Sequence, residues 1–264
     1  MTLVELGTGA PLVFVPGLQG RWEYARPTVE ALAEYFRVLT FSLGDEPSWQ
    51  GAFDRRRGFD AYGDQIAAVL DQADLERAVV CGLSFGGLAA LNFASRFSDR
   101  VDALVLASTP GPGFTLRPRH QFYTRVPWLF GPLFLIEAPF RAGPELKAAL
   151  PRAGDRRAFA WTMLRTSVRA PLSASRMAAR ARMIGSFDAA GVCGRISSPT
   201  LVVTGEPSLD FVVSVDGTSQ YARLIGGARA AVLARTGHQG TLTHPREFAA
   251  IVRKFVVENR HAAA

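Results

Sequence analysis

A chain of 264 residues, 48% hydrophobic and 20% charged, has an ordinary globular balance and enough apolar material for one sizeable domain, or a domain carrying a large insertion. Its formal charge of +7 is almost all arginine (the lysines are Lys147 and Lys254), yet the arginines form only the short runs Arg55-Arg56-Arg57 and Arg156-Arg157. Without zinc-finger spacing or an RNA-binding aromatic motif, nucleic acid is not an expected partner. No window reaches about 18 uninterrupted apolar residues, so no transmembrane helix and no membrane partner is expected. Residues 1–9 carry Glu5, no basic flank and no long apolar run, so no signal peptide is read there and a soluble, cytoplasmic protein is the expectation. The two cysteines, Cys81 and Cys193, show neither a disulfide framework nor a metal-ligand spacing and read as reduced, packed thiols.

The apolar run 11–15, closed by Pro16-Gly17, predicts a buried strand and a tight loop that continues through Leu18-Gln19-Gly20-Arg21-Trp22. A helix follows from about Arg26 to Tyr35, with Pro27 in its first turn. Residues 38–42 predict the next strand, and 44–57, rich in Gly, Pro, Ser and charge, a loop. Residues 59–73 read as a helix with Tyr62, Ile66, Val69 and Leu70 on one side. A short strand over 78–81 runs into a helix over 85–97, and 101–107 is another buried strand. Strands alternating with helices at this spacing predict a parallel sheet covered on both faces.

At Ser108-Thr109-Pro110-Gly111-Pro112-Gly113 the rhythm changes. From about 114 to 197 there is no strand of the earlier type. Arginine-rich helical stretches are broken by Pro118, Pro127, Pro132, Pro139, Pro144, Pro151 and Pro171. Trp128, Phe130, Phe134, Phe140, Phe159, Trp161 and Met163 supply apolar material. This reads as a helical cap over 109–197, inserted between core halves 1–108 and 198–264. The α/β rhythm resumes with a strand over 199–205, a helix over 218–225, a strand over 230–234, the loop Thr236-Gly237-His238-Gln239-Gly240 and an amphipathic helix over 245–258.

Gly82-Leu83-Ser84-Phe85-Gly86 fits G-x-S-x-G at a strand-to-helix bend. Such a bend strains the serine backbone, and small residues two before and two after it let neighbouring backbone pass. The hydroxyl then sits beside the positive end of a helix dipole. In a chain with 25 glycines the pattern can also arise as a plain glycine-rich turn with a capping serine. Context decides. Groups that act in open parallel sheets gather beyond the C-terminal ends of the strands. Ser84, Asp210 and His238 each follow a different strand, in the order serine, acid, histidine.

These stretches, with Val13-Phe14-Val15-Pro16-Gly17-Leu18, Pro199-Thr200-Leu201-Val202-Val203-Thr204-Gly205-Glu206, Asp210-Phe211-Val212-Val213 and Thr236-Gly237-His238, resemble the α/β-hydrolase fold superfamily over nearly the whole chain. The resemblance implies an α/β fold: a mostly parallel sheet with helices on both faces and an inserted helical cap. It implies a cofactor-free serine hydrolase with Ser84 as nucleophile, His238 as base and Asp210 as the acid. Backbone N–H groups of Phe85 and Leu18 would serve as oxyanion donors. A histidine, with an unperturbed pKa near ~6.5, suits the base role. Two departures stand out. Pro16-Gly17 replaces a frequent His-Gly, which leaves the hydrogen bonding of that loop open. Ser208 holds the usual place of the acid, two residues before Asp210, so Glu206 and Asp216 stay as weaker alternatives.

Gln19, Trp22 and Phe211 are candidates for the substrate pocket, each equally readable as packing. His120 reads as a surface residue that could touch substrate, His244 as helix-start loop and His261 as tail, and the cap arginines as mostly a solvated face from which one could meet a substrate carboxylate. The leading expectation is an esterase on small to medium esters, with a small-molecule ester or related acyl substrate as partner and no metal. A C–C bond hydrolase of a β-diketone-like acid is the main rival, and a hydrolase-like ligand receptor the alternative from another class. Serine in place of aspartate at position 84 argues against haloalkane dehalogenase or epoxide hydrolase chemistry. Neither the natural substrate nor the oligomeric state is legible in the sequence.

Overall fold

The computed structural model describes residues 3–263, without the side chains of residues 132, 134–136, 138, 139 and 261–263; the side chains of Phe134 and His261 thus lie outside what is described. A seven-stranded sheet runs in the order β1-β3-β2-β4-β5-β6-β7. Its strands are β1 (Val4–Leu6), β2 (Ala10–Val15), β3 (Phe36–Thr40), β4 (Ala78–Leu83), β5 (Val101–Ala107), β6 (Thr200–Thr204) and β7 (Arg229–Val232). All pairs are parallel except β1–β3.

The central strands are continuous apolar runs because both faces are covered. Alternate side chains go to opposite faces. Val13, Val80 and Leu104 pack with Tyr62, Ile66 and Leu88 of α2 (Phe59–Gln72) and α3 (Phe85–Arg96). Leu12, Val79 and Val105 pack with Val29, Leu32, Phe248 and Val252 of α1 (Arg26–Ala33) and α12 (Pro245–Ala263). Both cysteines are unpaired and buried. Burial pushes the Cys193 thiol up to about 11 and the Cys81 thiol higher still.

Between β5 and β6 come α4 (Pro118–Arg125), α5 (Pro127–Ala149), α6 (Ala153–Arg169), α7 (Ala174–Ile184) and α8 (Ala189–Cys193). Helices α4, α5 and α7 pack on one another, α8 on α3. Helix α6 is tied to the core by Tyr24 Oη, which donates to Ser167 Oγ (3.2 Å) and Ala170 O (3.0 Å). Among the described residues no helix is long and apolar enough to cross a membrane.

Several elements differ from the sequence expectation. Strand β1 is three half-exposed residues at the sheet edge, too short for a periodic signal. The third strand starts at Phe36, two residues early. The helix expected over 218–225 is two short ones, α9 (Val215–Ser219) and α10 (Tyr221–Leu224). A short α11 (Gly240–Thr243) precedes α12, which continues to Ala263. Prolines at 118 and 127 start helices, where a missing N–H costs nothing. Those at 132, 139 and 144 do not break the segment but lie inside the 23-residue α5.

Candidate active site

The sequence forces a sharp bend after β4. Ser84 has φ 53° and ψ −118°, a strained conformation for a non-glycine residue. Its N–H donates to Ala107 O (2.8 Å), and its carbonyl accepts from Gly87 N–H (2.9 Å). The bend closes only around absent side chains. A Cβ at Gly82 would run into the Gly86 backbone, one at Gly86 into the carbonyls of Val15 and Pro16. The Phe85 ring anchors the other side. It is fully buried, 5.0 Å from the Phe59 ring and edge-on to Tyr62 at 5.1 Å. The Phe85 N–H is at the first turn of α3, where backbone donors lack intrahelical acceptors.

Ser84, Leu18 and Asp210 line one cavity of about 650 Å³. Its wall is largely apolar, with Pro110, Phe114, Met177, Ile184 and Val213. The side chain of Asp210 is 1% exposed, and its Oδ2 stands 3.5 Å from His238 Nδ1. Oδ1 accepts the N–H groups of Val212 and Val213, both at 2.9 Å. Burial works to raise the Asp210 pKa, but nearby His238 and the two N–H donors outweigh it and hold the carboxyl below its ordinary value. Nδ1 of His238 is buried without a closer partner among the described residues. At 3.5 Å the contact is longer than a formed N–H···O bond, and catalytic pairs without substrate are often so loosened.

The loops after β6 and β7 meet because both carry glycine at the crossing. A Cβ on Gly205 would strike Thr236 O, and one on Gly237 would strike the Leu209 carbonyl. The Glu206 carboxylate is engaged elsewhere than at His238. Its Oε1 accepts Arg235 N–H (2.7 Å), which braces the two loops. Asp216 is an exposed residue of α9 on the cavity wall. Asp210 is thus the carboxylate that His238 meets.

Of the other candidates, Phe211 lines the cavity and is 42% exposed. Gln19 and Trp22 do not line it. The tight turn closed by Gly20 N–H to Gly17 O (2.9 Å) leaves Gln19 on the outside, and the Trp22 ring lies under the Arg26 guanidinium at 4.5 Å. His120 is half-buried on the cavity wall, where it could touch substrate. Burial and the cations of Arg141, Arg117 and Arg119 push its pKa down.

Two residues escaped the sequence reading. Arg180 of α7 is fully buried, against the expectation of a solvated arginine face. Its guanidinium donates to Asp45 Oδ1 (2.6 Å), Glu46 Oε1 (2.6 Å) and the Leu18 carbonyl (2.9 Å). It therefore holds the loop in which Pro16-Gly17 replaces His-Gly, and Gly20 is needed because a Cβ there would meet the guanidinium. Glu145 of α5 is 3% exposed, and its Oε1 accepts Gly237 N–H (2.9 Å) and Gln239 N–H (2.6 Å). The only sequence signal for either was an ionisable residue in a helical stretch that also carries apolar ones.

A strained serine at a strand-to-helix elbow, a histidine–carboxylate pair and a shared cavity on a doubly covered parallel sheet together define the α/β-hydrolase class of protein. Residues 10–245 match the family described as the alpha/beta hydrolase fold, and the chain belongs to that family, which supports a hydrolase activity. It is 32% identical over 118 residues to a 2-hydroxy-6-oxo-2,4-heptadienoate hydrolase of Pseudomonas putida, a match that spans 43% of this chain and 42% of that relative. It is 28% identical over 275 residues to a 2-hydroxymuconate semialdehyde hydrolase of a Pseudomonas species, spanning 99% of this chain and 92% of the relative. Among solved structures, the enol-lactonase of Burkholderia xenovorans shares the fold, with a TM-score of 0.77 and 20% identity over 97% of this chain and 95% of that one.

Proposed function

We propose that the protein is a cofactor-free serine hydrolase of small to medium carboxylic esters, with Ser84, His238 and Asp210 as its triad. The observation that carries this reading is the strained Ser84 elbow opening on the same cavity as Asp210, which pairs with His238. Ser84 Oγ attacks the ester carbonyl carbon and passes its proton to His238 Nε2, while Asp210 orients the ring and stabilises the imidazolium. The carbonyl oxygen becomes an oxyanion that accepts from the N–H groups of Phe85 and Leu18. Each such donor is worth roughly 3–4 kcal/mol in the transition state. Collapse breaks the C–O bond, and the alkoxide leaves with the proton from His238. Water, deprotonated by His238, then releases the acid from Ser84. Residues 109–197 act as the cap that shapes the acyl pocket.

A second reading, hydrolysis of a C–C bond in a β-diketone-like acid, is favoured by cationic groups on the wall. Arg117 and Arg141 both line the cavity beside His120. The names of the two Pseudomonas relatives also point to oxo substrates. The same triad serves both reactions.

The test is turnover of p-nitrophenyl esters of graded acyl length, and of 2-hydroxy-6-oxo-dienoates, with Ser84→Ala alongside. Ester turnover that falls by at least about 10³-fold in the variant is the expected result. Full activity in Ser84→Ala refutes the triad. Dienoate turnover without ester turnover selects the second reading.

A further inference from the structure

We infer that Glu145, a residue of the helical segment, is a positioning residue for His238. This rests on the reading of Ser84, Asp210 and His238 as a triad. The argument starts from the loop. His238 lies on a short stretch between β7 and α11, and its flanking peptide groups determine where the imidazole points. Both flanking N–H groups, of Gly237 and Gln239, end on one oxygen of Glu145, at 2.9 and 2.6 Å. Two donors converging on one acceptor hold the peptide that follows His238 and the peptide one residue before it, so the chain is pinned on both sides of the histidine. Other bonds hold the ends of the loop, Glu206 N–H to Thr236 O (2.7 Å) before it and Leu242 N–H to Gln239 O (2.9 Å) after it, while the bond that spans the histidine itself, Gly240 N–H to Gly237 O, is 3.3 Å and weak by comparison.

The acceptor comes from far away in sequence. Glu145 belongs to the last turns of α5, and 92 residues separate it from Gly237. It is 3% exposed, so water does not replace it. A buried carboxylate is costly unless its oxygens are satisfied. Here burial pushes its pKa up, while the two N–H donors and His238 pull the other way, and Asp210 adds a like charge that raises it again. A carboxyl in that balance serves by where its oxygen is, and a neutral acceptor in the same place suffices. Helix α5 thereby sets the histidine against Asp210 at the same time as it roofs the cavity.

The prediction separates reach from charge. Glu145→Gln keeps an acceptor oxygen at the same reach and removes the charge. Glu145→Asp keeps the charge and withdraws the oxygen by one methylene. For the full chain acting on the best p-nitrophenyl ester, Glu145→Gln is expected to keep kcat within about threefold. Glu145→Asp is expected to lose kcat by tenfold or more with KM within about threefold. Hydrogen exchange should be faster at the amides of Gly237 and Gln239 in Glu145→Asp and slow in Glu145→Gln.

The reverse order, equal losses, or kcat within twofold of wild type in both variants overturns the inference. Ser84→Ala measured in parallel keeps the two claims apart. If it is inactive, a flat Glu145 series counts against Glu145 alone. If it retains turnover, the triad reading falls. The exchange rates then judge the clamp on their own, unchanged protection in Glu145→Asp refuting it.

Discussion

The sheet core and the helical segment between β5 and β6 are held together by different forces. The core is apolar on both faces, with Val13, Val80, Leu104, Leu12, Val79 and Val105 all fully buried. The helical segment leaves Trp128 at 76%, Phe140 at 80% and Trp161 at 60% exposure. What joins it to the core includes a few buried polar groups. Arg180 reaches the loop after β2, Glu145 the loop after β7, and Tyr24 receives α6. The central strands' apolar core lies in the first region, while the second places backbone that the proposed chemistry needs. The loop after β2 and the loop after β7 are each gripped by one charged side chain from a helix outside the sheet.

The largest test of that comparison is at Arg180. Its loss leaves Asp45 and Glu46 buried at 3% and 1% side-chain exposure without their main cation, although Arg176 still meets Glu46 at 3.1 Å. Breaking a buried pair by removing one partner costs about 3–5 kcal/mol. Arg180→Met should therefore lower the unfolding free energy in urea by about that much. The triple variant with Asp45→Asn and Glu46→Gln should recover part of the loss. A change below about 1 kcal/mol in Arg180→Met would place the segment's attachment in apolar packing instead.

A smaller effect is expected at the acid of the site. The folded-state pKa of Asp210 is lowered, so the native state releases this proton more readily than the unfolded chain, where a carboxyl titrates near about 3.9. The stabilisation is full above that value and is lost as pH falls through the lowered one. The difference in unfolding free energy between wild type and Asp210→Asn should change in the variant's favour as pH falls from about 5 toward about 2. A difference that moves in wild type's favour on acidification contradicts the assignment of Asp210 as an ionised, His238-paired carboxylate.

The same contrast explains what was legible in the sequence. Strands β2 to β6 announce themselves because buried strands need unbroken apolar runs, β7 shows an apolar run although it is mostly exposed, and glycines at 82, 86, 205 and 237 mark where backbones cross. The candidates Ser84, Asp210 and His238 are read from those strand ends. Arg180 and Glu145 are invisible by the same logic. A charged residue in a helix has one sequence signature whether it faces water or, as Arg180 does, a carbonyl 162 residues away, and only tertiary packing decides. Prolines 132, 139 and 144 mislead for a related reason. Propensity predicts a break, but α5 runs through all three, as tertiary context often overrides propensity. The buried loop residues Asp45 and Glu46 were hidden in a stretch whose composition spells an exposed loop.

The smallest expected effect sharpens the boundary between the two regions. On α6 the outer face carries Trp161, Leu164 and Val168 at 60%, 55% and 75% exposure, and no residue of that helix is buried. Replacing a side chain already in water removes little packing, so Trp161→Ser should change the unfolding free energy by no more than about 0.5 kcal/mol. It should also leave ester turnover unchanged, since α6 contributes nothing to the cavity wall. A loss of 2 kcal/mol or more would mean that the ring is covered in solution by something besides this chain's own core. The outer face of the helical segment would then belong with the polar anchors among the contacts that hold the molecule together.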